Sequence, residues 1–296
     1  KKIFVASTGV IGEPFPTKKV INAIDKKPVA TNNWMQAARA MMTTDTFPKG
    51  KTIKSKIGNQ KILITGIAKG SGMIEPNMAT MLGFIFTDAS MDQKILQSLT
   101  NKFVMSSFNS ISVDGDESTN DTVIFASSNA VKFKNKIKSI NDQRLTKFKA
   151  DLEKVFLDLA EQIVRDGEGA TKLIQVKVLN ARSKNSAEKI SRSIGNSPLL
   201  KTAIYGNDPN WGRVVMAIGK TYEKVNFKKL KISFGKYLVT KDGRINPKFD
   251  EKKLKKYLKK NQININVDLN LGRKKAQILT CDLSHKYIDI NSSYKS

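Results

Sequence analysis

The chain alternates short apolar runs with longer amphipathic segments, and this alternation restricts its fold more than any other feature. Four runs have the length and composition of strands: 2–7, 61–70, 82–89 and 121–128. Four segments carry apolar residues at helical spacing: 18–25, 30–42, 92–108 and 144–166. Because the apolar face of a strand and the apolar stripe of a helix both need a covering layer, the sequence predicts an α/β or α+β fold.

A second set of elements follows the Gly167–Gly169 pair, which is expected to end the last of these helices. The set comprises strands at 173–181, 262–270 and 275–282, helices at 186–195 and 250–260, and apolar segments at 214–220 and 228–235. We therefore expect a larger domain over 1–170 and a smaller α+β domain over 171–296. The last ten residues, 287–296, have no periodicity and are expected to be disordered unless they dock on the rest.

Composition argues against several kinds of protein. No apolar run is long enough to cross a membrane, and the N-terminal apolar stretch is too short for a secretion signal, so a cytoplasmic protein without a membrane partner is expected. The only cysteine, Cys281, is expected to be buried and cannot form an internal disulfide. The only histidine, His285, is expected at the surface and argues against a metal site and against a Ser–His–Asp triad.

The formal charge of +26 suggests a nucleic-acid binder, but the residues that carry it do not. Only eight of the 52 basic residues are arginine, the residue whose fork reads phosphates and bases best. The lysines are scattered, and no basic motif interleaved with aromatic residues is present. We expect solvated lysine-rich faces and no nucleic-acid partner; a salt-dependent shift with DNA or RNA would favour the alternative.

The segment 69–82, KGSGMIEPNMATML, is the strongest candidate for chemistry. Its glycines, proline and asparagine predict a turn before an apolar strand. If such a turn strains the Ala79–Thr80 bond, the Thr80 hydroxyl can attack the preceding carbonyl and leave threonine at a new N-terminus. A terminal amine, with a pKa of about 7.7–8.0, can then act as the base for its own hydroxyl. The same residues also fit an ordinary loop before a strand.

Six blocks and the terminal INSSY resemble, in order, the signature sequences of the ornithine acetyltransferase family. The blocks are STGVIG (7–12), MTTDT (42–46), AKGSGMIEPNMATML (68–82), SFNSISVDGDESTNDT (107–122), RDGEGATK (165–172) and SPLLKTAIYGNDPNWGR (197–213), with the tail at 290–294. The resemblance implies stacked αββα layers like those of N-terminal-nucleophile hydrolases. It also implies autoproteolysis between Ala79 and Thr80 into an α-chain, 1–79, and a β-chain from residue 80 onward, with the C-terminal tail returning to the active site.

The resemblance also assigns site residues. Thr80 would be the nucleophile that carries the acetyl group, and Thr8 with Gly9 would form the oxyanion hole. The residues that would contact the substrate, besides Thr80, are Thr43, Lys69, Glu168, Asn291 and Ser296. Only six residues precede STGVIG, which predicts that an N-terminal segment of the family is missing from this sequence.

The implied reaction moves an acetyl group from N2-acetyl-L-ornithine to L-glutamate in arginine biosynthesis, without a cofactor. Acetyl-CoA as a further co-substrate stays open. The implied assembly is a heterotetramer of two α- and two β-chains. An aminopeptidase or amidase with the same N-terminal threonine is the alternative, because both chemistries pass through an acyl-threonine.

Overall fold

The computed structural model describes residues 4–26, 33–75 and 81–293, which form two β-sheets and their covering helices. The strands are β1 (Lys49–Ile57), β2 (Gln60–Lys69), β3 (Leu82–Ala89), β4 (Thr122–Val131), β5 (Leu173–Ala181), β6 (Lys231–Phe234), β7 (Tyr237–Lys241), β8 (Arg244–Ile245), β9 (Gln262–Asp268) and β10 (Lys274–Cys281). The helices are α1 (Thr17–Asp25), α2 (Trp34–Met41), α3 (Gln93–Ser106), α4 (Thr146–Arg165), α5 (Lys184–Gly195), α6 (Pro198–Tyr205), α7 (Trp211–Gly219), α8 (Glu251–Leu258) and α9 (His285–Asn291).

The first sheet has the order β1-β2-β3-β4, with antiparallel pairs up to β3 and a parallel pair between β3 and β4. The alternate residues Ile62, Ile64 and Ala68 of β2 are buried in the core beneath α4. Gly66 shares this face, and a side chain there would meet Leu159 of α4 at 2.7 Å. The glycine therefore allows helix and sheet to pack closely.

Helices cover both faces of this sheet. The 20-residue helix α4 lies on β1 and β2 and contributes an unbroken stripe of buried residues to the core, as its 3.6-residue periodicity predicts. On the opposite face, the ring of Trp34 in α2 lies 5.0 Å from the ring of Phe86 in β3.

The second sheet is mixed, with the order β10-β5-β9-β6-β7-β8, and has a core of its own. Along β5 the two cores divide between Leu173 and Ile174, although Cys281 at the end of β10 belongs to the first core. We propose the boundary at 170–172 as the division between domains. The two units are joined where Ser112 N–H donates to the carbonyl of Leu279 in β10, over 2.8 Å.

One predicted strand does not form over its described residues, and two predictions of burial and exposure are confirmed. Phe4–Ser7, within the predicted strand 2–7, form no strand, and Phe4 and Val5 are 72% and 78% exposed; strand composition alone does not supply a pairing partner. Segment 214–220 lies mostly in helix α7. Cys281 is buried and His285 is exposed, as predicted.

A helix forms in the C-terminal region, although the sequence there has no periodicity that predicts one. Residues 287–291, expected to be ordered only if docked, continue helix α9. Within the described ranges, no helix is long and apolar enough to span a membrane, and no cluster of acidic, histidine and cysteine side chains is arranged to bind a metal.

Candidate active site

A cavity of about 400 Å³ opens beyond the carboxyl end of β2. Six separate parts of the chain line it: residues 8–11, 43–44, 69 with 71–73, 114 with 116–120, 168, and Tyr287 with Asn291 from α9. Six of the predicted site residues are thus brought together: Thr8, Gly9, Thr43, Lys69, Glu168 and Asn291. The other three, Ala79, Thr80 and Ser296, lie outside the described residues.

Lys69, the last residue of β2, supplies a cation to the cavity. It is 2% exposed, and no hydrogen bond or ion pair among the described residues uses its ammonium group. Burial lowers the pKa of Lys69, while the charges of Asp45, Asp121 and Glu168 act to raise it. A buried ammonium without a direct partner is suited to the carboxylate of a small molecule.

Glu168 follows the end of α4 and joins three segments of the site. Its N–H donates to the carbonyl of Ser71 over 2.9 Å. Its carboxylate accepts from Asn291 Nδ2 over 2.7 Å, which attaches the C-terminal helix to the cavity. The next residue, Gly169, has φ +70° and its carbonyl accepts from the Ser284 hydroxyl over 2.6 Å. A second contact thus holds α9 beside the site.

Asp114 and its neighbours Asp116 and Glu117 form an acidic loop in the cavity. The Asp114 carboxylate accepts from the N–H groups of Met73, over 2.6 Å, and Ile74, over 2.9 Å. Burial raises the pKa of Asp114 in spite of these bonds. Tyr287 Oη lies 3.4 Å from the same carboxylate, and burial raises the pKa of that phenol too.

Sequence reasoning did not assign the acidic loop or Tyr287 to the site. The only signal for the loop was the acidic run DGDE (114–117) within the 107–122 block. No feature of the sequence pointed to Tyr287, because it lies in a segment without periodicity. It reaches the cavity only because α9 packs beside the site.

Beneath the cavity lies a buried ion cluster of Lys49, Asp45 and Asp166, here called the Lys49 cluster. The Lys49 ammonium lies 2.6 Å from Asp45 Oδ1 and 2.5 Å from Asp166 Oδ2, with all three side chains almost wholly buried. Asp45 also accepts from the N–H groups of Gly70, over 2.8 Å, and Thr43, over 3.1 Å.

The cluster therefore fixes several cavity segments to one cation. Burial acts to raise the pKa of Asp45, but the Gly70 N–H and Lys49 outweigh it and hold that pKa below its usual value. Asp166 accepts from Thr46, and its carbonyl accepts from the Ser71 hydroxyl over 2.5 Å.

The model of the ArgJ family matches residues 1–296. The arginine biosynthesis bifunctional protein ArgJ of Nitrobacter winogradskyi is 48% identical, over 99% of this chain and 72% of its own length. The protein of the same name from Gluconobacter oxydans is also 48% identical, over 99% of this chain and 70% of its own length.

The chain belongs to the ArgJ family. A crystal structure of arginine biosynthesis bifunctional protein ArgJ from Bacillus halodurans is similar, with a TM-score of 0.68 and 37% identity over 73% of this chain and 100% of that one. Membership confirms the predicted family and enzyme class, an acyltransferase. The structural likeness to an ArgJ protein confirms the predicted fold class.

Proposed function

We propose that this chain transfers the acetyl group of N2-acetyl-L-ornithine to L-glutamate. The observation that carries the proposal is that one cavity gathers the adjacent residues Thr8 and Gly9 with Lys69 and Glu168, from three distant parts of the chain. Its relatives are named as bifunctional proteins of arginine biosynthesis, which supports the same pathway here.

The proposed maturation step makes the nucleophile. The Thr80 hydroxyl oxygen attacks the carbonyl carbon of Ala79, and the peptide bond breaks as the acyl group moves from nitrogen to oxygen. Water then hydrolyses this ester, leaving a carboxylate on Ala79 and a free amine on Thr80. Both fragments, 1–79 and 80–296, stay together.

In the transfer, the Thr80 amine takes the proton of its own hydroxyl, and the oxygen attacks the acetyl carbon of N-acetylornithine. The hydroxyl of Thr8 and the N–H of Gly9 donate to the oxyanion that forms. The proton passes to the leaving amine of ornithine, and an acetyl ester stays on Thr80. The amine of glutamate then attacks this ester, which gives N-acetylglutamate and frees the threonine.

Substrate recognition follows from the charges in the cavity. The Lys69 ammonium binds the α-carboxylate shared by ornithine and glutamate. Thr43, Glu168 and Asn291 surround the bound amino acid, and Ser296 is proposed to join them. The acidic loop faces the same space and suits the second amine of ornithine.

The same proposal extends to the assembly: two α- and two β-chains, in the cytoplasm, with no nucleic-acid partner and with acetyl-CoA open as a second donor. The alternative, an amidase, would pass the acyl group to water. It is distinguished by free acetate as the product when glutamate is present.

The test is the mass of the fragments under denaturing conditions. Wild type should yield a fragment beginning Thr80-Met81-Leu82, and N-acetylornithine without glutamate should add one acetyl group to it. Added glutamate should remove the group, with ping-pong kinetics. Thr80→Ala should stay one intact chain, and Thr80→Ser should still cleave. A fully active chain that is intact at this bond, or transfer without an acetylated fragment, would contradict the proposal.

A smaller change tests the role of Glu168. In Gly72→Ala, the new Cβ would lie 2.5 Å from the Glu168 carboxylate, so that flexible group must leave its contact with Asn291. Since a displacement of about 1 Å can cost about 10²-fold, kcat/KM for N-acetylornithine should fall between about 10- and 10²-fold, with little change in Tm.

The control for this variant is Gly219→Ala at the end of α7, where an added Cβ meets nothing within 4 Å. It should have wild-type kinetics. Equal kinetics for both glycine variants would show that the position of Glu168 does not matter.

A further inference from the structure

Asp121, the residue just before β4, accepts a hydrogen bond from the backbone of Met81, which follows the proposed nucleophile Thr80 in the chain. Strands β3 and β4 are parallel, with Leu82 paired to Thr122, so the residues just before each strand lie side by side. Thr122 N–H donates to the carbonyl of Met81 over 3.1 Å, and Met81 N–H donates to Asp121 Oδ1. Both backbone polar groups of Met81 are thus held by residues 121 and 122.

The Met81 N–H belongs to the peptide bond that joins residue 80 to Met81. The Asp121 carboxylate therefore accepts from the first backbone N–H after the proposed nucleophile. In the precursor the nitrogen of residue 80 belongs to a peptide bond, and after the proposed cleavage it is an amine, separated from the Met81 nitrogen by two carbon atoms of the chain.

The second carboxylate oxygen of Asp121 supports a cationic partner. Oδ2 is buried and has no hydrogen-bond partner within the described ranges. Burial raises the pKa of Asp121 to about 7, against the effects of the Met81 N–H and the Lys69 charge. Burial lowers the pKa of Lys69 on β2, and the charge of Lys49 also acts to lower it, whereas the charges of Asp45 and Glu168 act to raise it. A buried carboxylate with an open oxygen is unfavourable until a hydrogen-bond donor reaches it.

We propose that Asp121 is a positioning residue that binds and stabilises the ammonium formed when the Thr80 amine takes the hydroxyl proton. This inference rests on the proposed function. The proton moves from the Thr80 oxygen to the Thr80 nitrogen and then to the leaving amine of ornithine. Asp121 accepts a hydrogen bond throughout and takes no proton. It acts through the amine, as a buried carboxylate beside a catalytic base stabilises the protonated base.

The decisive variant is Asp121→Asn, which keeps an acceptor for Met81 N–H but removes the charge. Acetylation of Thr80 should slow about 10²-fold. The acid limb of the pH profile of kcat/KM should also move to lower pH by about 1–3 units, because loss of a nearby negative charge lowers the pKa of the amine. Asp121→Glu, which restores the charge, should recover most of the rate and the wild-type limb.

The matched control is Asp88→Asn on β3, whose carboxylate also accepts one backbone N–H, that of Leu63 over 2.9 Å, and lies outside the cavity. It should leave rate and pH profile unchanged. A wild-type pH profile for Asp121→Asn, or a Glu variant as slow and shifted as the Asn variant, would overturn the role of Asp121.

Two further measurements separate this inference from the proposed function. Mass spectrometry of each variant shows whether cleavage has occurred, and circular dichroism shows whether it has folded. A folded Asp121→Asn chain that stays uncleaved would assign Asp121 to maturation and overturn its proposed role in transfer. Wild type without cleavage or acetyl ester would instead refute the proposed function itself.

Discussion

Replacing Thr8 with alanine is expected to slow acetylation of Thr80 by N-acetylornithine about 10²–10³-fold, the usual effect of removing one oxyanion donor. Thr8 is half-buried and lines the cavity beside Gly9. Gly9 offers only its backbone N–H, so the Thr8 hydroxyl is the side-chain donor of this pair. The measurement is the rate at which the acetyl mass appears on the fragment that begins at Thr80.

Two further variants show whether the hydroxyl is responsible. Thr8→Ser keeps the donor and should keep most of the rate. Thr17→Ala removes an exposed hydroxyl whose bond is to the carbonyl of Phe15, over 3.3 Å, outside the cavity, and should have wild-type kinetics. If Thr8→Ala is acetylated as fast as Thr17→Ala, Thr8 has no part in the oxyanion hole.

Replacing Lys49 with methionine is expected to lower the free energy of unfolding by about 3–5 kcal/mol, because it leaves two buried carboxylates without their shared cation. Activity should fall as well, since Asp45 also holds the N–H groups of Thr43 and Gly70. Urea unfolding gives the first quantity. It is best measured with Thr80→Ala as the background, which is expected to keep the protein a single chain.

Lys51→Met is the matched control for this variant. Lys51 lies on the same strand and pairs with Asp158 over 2.7 Å, but its side chain is 39% exposed. Exposed pairs contribute little, so this variant should lose less than about 1 kcal/mol. Equal losses for the two lysines would contradict a structural role for the Lys49 cluster.

Local sequence was enough to predict many of the elements around the site. The alternation in 61–70 and 82–89 corresponds to β2 and β3, and the helical spacing in 144–166 corresponds to α4. These predictions succeed because strand and helix periods depend on near neighbours in the chain. The signature blocks also named six residues that line one cavity: Thr8, Gly9, Thr43, Lys69, Glu168 and Asn291.

The tertiary structure decided the features that depend on residues far apart in the sequence. Strand composition at 4–7 gave no strand, since the segment has no pairing partner among the described residues. Lys49 is one of 44 lysines in the sequence, and only burial between Asp45 and Asp166 distinguishes it. Asp121 likewise acquires its significance from the parallel register of β3 and β4, which places its carboxylate against the backbone of Met81. A charge has a defined role only when its burial and its partners are known, and those are set by the packing of the whole chain.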